Sequence, residues 1–173
     1  MACVKGATGE RAGEYAVPGK YLTFQLNGEL YGVDILRVQE IIGTLPVTRI
    51  PKAPEFVRGV INLRGRIISV VDLRRRFEMP AHEDTERTCI VVMRFQSFGD
   101  TSTRGLLVDE VSEVLNIQEE QLERPPQMGA GDESKYVLGM GKVGQKVIML
   151  LDIDRVFHSE EVNEEEAVEV VEA

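Results

Sequence analysis

Two histidines, two cysteines and one glycine-rich run are the parts of this 173-residue chain whose types and spacing could do bond chemistry. A histidine serves a metal or a proton transfer when a second ligand or base stands at a fixed spacing from it. His82 lies in a polar connection and His158 opens an acidic run, and neither belongs to an HExxH or comparable pattern, so both read as surface residues. Cys3 and Cys89 are far apart and outside any CxxC pair, which argues against a disulfide framework or a thiolate zinc site. Cys89 sits in a β-branched run with no base near it in sequence, the setting of a small core hydrophobe. GMGKVG at 139–144 scans as GxGxxG, but a strand pattern follows it. It lacks the helix N-terminus that would hold a phosphate and reads as a turn inside a hairpin. Acid pairs abound, and solvated charge is their default. These residues predict no catalytic site, no cofactor and no metal.

The charge balance narrows the partners. Twenty Lys and Arg face 29 Asp and Glu, a net −9. Seven of those acids fall in residues 158–173, which hold no Lys or Arg, so residues 1–157 carry only −2. Phosphate-backbone binding needs a basic surface, and a single-strand binder needs stacking aromatics along it. Ten aromatics on a near-neutral body offer neither, which disfavours the alternative of a small-barrel nucleic-acid-binding module. The first 20 residues show no apolar signal-peptide run, and no stretch reaches the roughly 18 apolar residues of a membrane helix. A cytoplasmic protein without membrane insertion is expected. The length suits one domain, or two small lobes sharing a core.

The elements are short strands. Residues 21–27 alternate with period 2, and Asn27-Gly28 signals a hairpin into a strand near 30–33. Ile35, Val38, Ile41 and Ile42 recur at helical spacing, predicting a short amphipathic turn or helix that ends near Gly43. Two β-branched runs flank Arg64-Gly65, the strongest hairpin, and Asp72 follows as the N-cap of a short helix over 73–77. Strands are also expected at 88–95, 104–108, 137–143 and 146–151. Arg74-Arg-Arg76 reads as an exposed helix face.

An internal repeat organises them. NLRGRIISVVDLRRRF at 62–77 aligns without gaps on KVGQKVIMLLDIDRVF at 142–157, with Asp72 on Asp152 and Phe77 on Phe157. Upstream, GVDILRVQEII at 32–42 aligns on GLLVDEVSEVL at 105–115. The second copy carries seven extra residues between its blocks, placed in the loop with Pro125-Pro126 and Gly129-Ala-Gly131. Strands this short leave open edges, and curling each set into a small barrel and packing the two together removes them. The prediction is all-β: two pseudo-equivalent five-stranded, SH3-like barrels packed around an apolar seam, with short helices.

YGVDILRVQEII at 31–42, RGVINLRG at 58–65 and SVVDL at 69–73, in that order, closely resemble the bacterial chemotaxis coupling family CheW over about residues 19–157. The resemblance implies two five-stranded barrels around a hydrophobic seam and a non-catalytic adaptor. Its partners would be the cytoplasmic tip of methyl-accepting chemotaxis receptors and the regulatory domain of the histidine kinase CheA. Residue by residue, Arg64 matches the hairpin arginine implicated in coupling and Glu40 its acidic partner. A guanidinium holds a carboxylate with two parallel bonds, which a lysine cannot do. Gly59 and Gly105 match glycines near partner contacts, or else positions where backbone must pack closely. Ile35, Val38, Val111 and Val114 match positions in or near the seam where a receptor helix tip would lie, or else core. The resemblance implies association with receptor arrays through protein contacts, and an adaptor for a non-swimming chemosensory pathway stays equally open. Residues 1–20 are then an N-terminal arm, 21–157 the CheW-like domain of two interleaved lobes, and 158–173 an acidic tail outside the shared pattern, either solvated or partner-tuning.

Overall fold

The structure, a computed structural model, describes residues 16–80, 83–97, 100–125 and 136–158. The expectations for residues 1–15, His82, Gly99, the loop at 126–135 and the acidic run after 158 lie outside the described residues.

Turn chemistry and β-branched runs set the strands. β1 (Gly19–Leu26) and β2 (Glu29–Asp34) meet at Asn27-Gly28, where both residues take positive φ, 55° and 86°. A single 3-10 turn, Ile35–Arg37, leads into β3 (Val38–Gly43). The strong hairpin follows as β4 (Val57–Leu63) and β5 (Arg66–Asp72), then α1 (Leu73–Arg76). The second half repeats the order as β6 (Cys89–Ser97), β7 (Asp100–Val108) and β8 (Glu110–Ile117), then β9 (Leu122–Glu123), β10 (Val137–Val143), β11 (Lys146–Leu151) and α2 (Ile153–His158). The glycine-rich run at 139–144 is indeed hairpin, turning at Gly144 with φ 62°.

The helix expected up to Gly43 is therefore one turn followed by a strand. Val38 and Ile42 share a face under either period, so Ile41 decides between them. It is exposed, as alternation requires, while β3 runs antiparallel along β6 with Ile41 opposite Val91 and Ile42 opposite Ile90. Ladder hydrogen bonds to a neighbouring strand outweigh the weak helical preference of two adjacent isoleucines.

The strands form two sheets, β3-β6-β7-β5-β4 and β9-β10-β11-β2-β1-β8. The sixth strand of the second sheet is two residues long, and its counterpart in the first is a lone bridge between Thr48 and Val60. Each sheet contains one hairpin from the opposite half of the chain: β6–β7 lies between β3 and β5 of the first half, and β1–β2 lies between β8 and β11 of the second. The repeat holds at the level of register. Val70 faces Gly105 across the parallel pair β5–β7, and Leu150 faces Gly32 across β11–β2. Both hairpins before the helices shift register in the same place, at Val57/Gly59 and at Val137/Gly139.

Three main apolar clusters follow from this layout, beside a small fourth formed by Ile50 and Val60. One fills the first lobe (Ile61, Ile68, Val70, Ile90, Val92, Leu107) and a smaller one the second (Tyr21, Ile117, Ile148, Leu150). The largest lies between the sheets, where Phe24, Tyr31, Val91, Met93, Phe95 and Phe157 are almost fully buried. β6 alternates Ile90 and Val92 into its lobe with Val91 and Met93 into the seam, so it is buried on both faces.

The two crossings are clasped by ions. Asp72 caps α1, its carboxylate accepting the Arg74 backbone N–H at 3.1 Å. Arg74, expected on an exposed helix face, is instead 1% exposed, because α1 packs between the lobes. Its guanidinium reaches Asp109 at the second crossing at 3.1 Å and Asp84 at 3.5 Å. At the first crossing Arg37 pairs with Asp154 of α2 at 2.6 Å. In the repeat Arg74 and Asp154 are equivalent, so the two clasps carry reversed charge. Removing one partner of a buried ion pair leaves the other uncompensated. Arg74→Ala is therefore expected to lower unfolding free energy by about 3–5 kcal/mol. Urea denaturation checks this; a loss under about 1 kcal/mol would mean that the clasp contributes little.

Candidate functional site

The β4–β5 turn needs left-handed backbone at both central positions, and Arg64 and Gly65 take φ 53° and 87°. The Asn62 carboxamide oxygen accepts the Gly65 N–H at 2.8 Å and fixes the turn. This projects the Arg64 side chain, 65% exposed, toward Glu40 on β3. Two parallel bonds form, Nη1 to Oε2 at 2.8 Å and Nη2 to Oε1 at 2.5 Å. β3 and β4 are opposite edges of their sheet, so this fork draws the two edges together and curls the sheet. The Arg64 hydrogen bonds hold the Glu40 carboxyl below its usual range, and Glu40 raises the guanidinium in turn.

The second lobe offers a weaker copy. Lys146 at the start of β11 reaches Glu113 on β8 at 3.3 Å, with both side chains about half exposed (55% and 52%). One ammonium on one oxygen has no fork, so its orientation is less fixed. Apolar side chains accompany both pairs at equivalent positions. Ile41 follows Glu40 and is 44% exposed, and Val114 follows Glu113 and is 47% exposed. Ile67 near Arg66 and Val147 beside Lys146 are 47% and 51% exposed. Period 2 could have picked out this outward set, had residues 38–43 been read as a strand.

The remaining expected site residues separate into two groups. Ile35, Val38 and Val111 are half-buried against the inter-lobe cluster and edge the seam, whereas Val114 faces outward. Leu36, which sequence reasoning did not single out, is the most exposed large apolar residue described, held out by the 3-10 turn that Asp34 caps through the Leu36 N–H at 2.9 Å. Gly59 and Gly105 are both buried. A Cβ on Gly59 would stand 2.3 Å from the Thr48 carbonyl oxygen at φ 144°, and one on Gly105 would stand 2.7 Å from Ile90 Cγ2. Close backbone packing therefore requires glycine at both. Cys89 is half-buried beside the seam, and burial pushes its thiol up, away from nucleophilic use. Among the described residues no group of three or more His, Cys, Asp or Glu stands together as a ligand set.

Comparisons with known proteins agree on one family. The family model described as CheW-like domain matches residues 20–161. The chain is 37% identical over 161 residues to the chemotaxis protein CheW of Klebsiella aerogenes, covering 93% of this chain and 92% of that protein. It is 33% identical over 144 residues to the CheW of Treponema pallidum, covering 81% and 82%. The crystal structure of the scaffolding protein TtCheW from Thermoanaerobacter tengcongensis superposes with a TM-score of 0.73 at 37% identity, covering 82% of this chain and 93% of that one.

The fork has a titration signature. A depressed folded value means that the Glu40–Arg64 pair is intact above the ordinary glutamate value and is lost as pH falls through the folded one. The Glu40 carboxyl carbon is expected to titrate with a midpoint below 4.5, and to return toward 4.5 in Arg64→Ala, measured by carbon-detected NMR. An unchanged midpoint in that variant would break the assignment.

Proposed function

The chain belongs to the CheW-like family, and on that footing we propose that it is a chemotaxis adaptor joining methyl-accepting receptors to a CheA-type histidine kinase by non-covalent contacts. The observation that supports this best is a doubled surface on one interlocked body. Each lobe offers an ion pair with exposed apolar neighbours, Glu40–Arg64 with Ile41 and Ile67 on the first and Glu113–Lys146 with Val114 and Val147 on the second. A protein that holds two others at once needs two such faces and a rigid connection between them. The nucleic-acid alternative is not favoured.

The roles of individual residues extend that reading. The half-buried edge of Ile35, Val38 and Val111, with Leu36 standing beside it, is suited to an amphipathic receptor helix laid along the seam. Arg64 and Glu40 set the orientation of the kinase regulatory domain or of the receptor at the first lobe. Gly59 and Gly105 act on partners through the strand paths that they permit, since both are buried. The binding body extends the expected 21–157 to Ala16, which packs on the second lobe's cluster, and to His158 at the end of α2, leaving 1–15 and 159–173 as segments outside it. No helix among the described residues is long and apolar enough to cross a membrane, and the chain reaches receptor arrays through its partners. It performs no bond chemistry of its own.

Arg64→Glu replaces an attractive fork by like charges at Glu40. The fold is expected to survive, with circular dichroism unchanged, because Arg64 is largely solvated. Co-sedimentation of the receptor–kinase complex is expected to fall at least about tenfold, equivalent to 1.4 kcal/mol. Full co-sedimentation with this variant would remove Arg64 from the interface.

A further inference from the structure

The two lobes differ at one end in a way that their shared register makes visible. In the second lobe the chain ahead of β1 closes the barrel mouth: the Ala16 N–H donates to the Leu138 carbonyl on β10 at 3.3 Å, and Ala16 packs on the lobe's apolar cluster. The Tyr21 hydroxyl holds the same segment through the Val17 carbonyl at 2.5 Å. Arg58 takes the place of Leu138 in the first lobe, and the chain ahead of β6 bends on itself there, with the Thr88 N–H on the Thr85 carbonyl at 3.2 Å. The mouth stays open as a cavity of about 520 Å³, walled by Leu45, Val47, Val70, Ile90 and Leu107, with Arg49, Arg58 and Asp84 lining it. Asp84 and Asp72 already hold Arg58 at 2.8 and 3.1 Å, whereas Arg49 makes no ion pair among the described residues.

The chain itself supplies a complementary segment. Residues 159–173 read SEEVNEEEAVEVVEA, carboxylates interleaved with small apolar side chains and without a single base. α2, which they follow in sequence, is linked to that mouth by a chain of packed contacts. The Val156 carbonyl accepts Arg76 Nε at 2.9 Å, and the Arg76 guanidinium lies 4.1 Å from the Phe56 ring centroid. The Phe56 carbonyl in turn accepts the N–H of Asp72, the partner of Arg58. Fifteen residues span up to ~50 Å when extended, so reach does not restrict them.

We propose that residues 168–172 dock in the open mouth of the first lobe of their own chain, valine side chains against the apolar wall and a flanking carboxylate on Arg49. The segment does for the first barrel what Ala16 does for the second, with an ionic latch that salt weakens. This inference stands apart from the adaptor reading, because it concerns a contact within one molecule. The test is methyl NMR on the full chain. Cross-peaks are expected between the Val168 or Val170 methyls and those of Leu45, Ile90 or Leu107, independent of protein concentration. They should disappear in Val168→Asp/Val170→Asp and lose intensity in Arg49→Glu. Three results would overturn the proposal: wall methyls that shift in neither variant, cross-peaks arising only between labelled and unlabelled molecules (a second copy's segment), or cross-peaks arising only after a partner protein is added.

Discussion

The exchange of the β1–β2 and β6–β7 hairpins between the sheets is the constraint on which the rest of the molecule depends. Each sheet takes an inner hairpin from the other half of the chain, so neither lobe is complete without the other. The exchange also creates the seam. Strands that pair in one lobe and continue into the next present one face to a lobe interior and the other to the inter-lobe cluster, the largest apolar cluster described. Burial on both faces, at roughly 25 cal/mol per Å² of apolar surface, makes the seam a main source of stability and not merely a joint.

Surface chemistry inherits this geometry. Glu40 and Arg64 both belong to the first half, on opposite edges of a sheet whose middle is the β6–β7 hairpin of the second half, so the fork spans that hairpin. Glu113 and Lys146 likewise span the β1–β2 hairpin in the other lobe. A partner seated at either pair therefore rests on one sheet that is built from both halves of the chain. The duplicated fold thus yields two faces of one design with unequal chemistry, a fork on one and a point charge on the other. That inequality gives a basis for telling two partners apart.

Much of this was legible in the residues. The hairpins at Asn27-Gly28 and Arg64-Gly65 carry their turn types in the dipeptides, and the β10–β11 bounds agree residue for residue with the expected ones. The repeat predicted matched registers, and Val70 opposite Gly105 beside Leu150 opposite Gly32 shows the match. Residues 38–43 fit both periods at Val38 and Ile42, and only Ile41 separates a strand from a helix there. The burial of Arg74 was hidden for a different reason: its partners Asp84 and Asp109 are supplied by separate elements, which no local pattern around 72–77 encodes. Of the candidate site, the Glu40–Arg64 pair followed from family resemblance, while Leu36 and the outward isoleucines needed the strand assignment of β3 first.

The reversed clasps, Arg37 on Asp154 and Asp109 on Arg74, give the exchange a polarity. Were the halves to trade crossings, with each half keeping its own two connections, guanidinium would meet guanidinium at one crossing and carboxylate would meet carboxylate at the other. Like charges at such close range repel by several kcal/mol in a partly dehydrated site. The internally repeated chain thus carries an electrostatic key against pairing either half with a copy of itself.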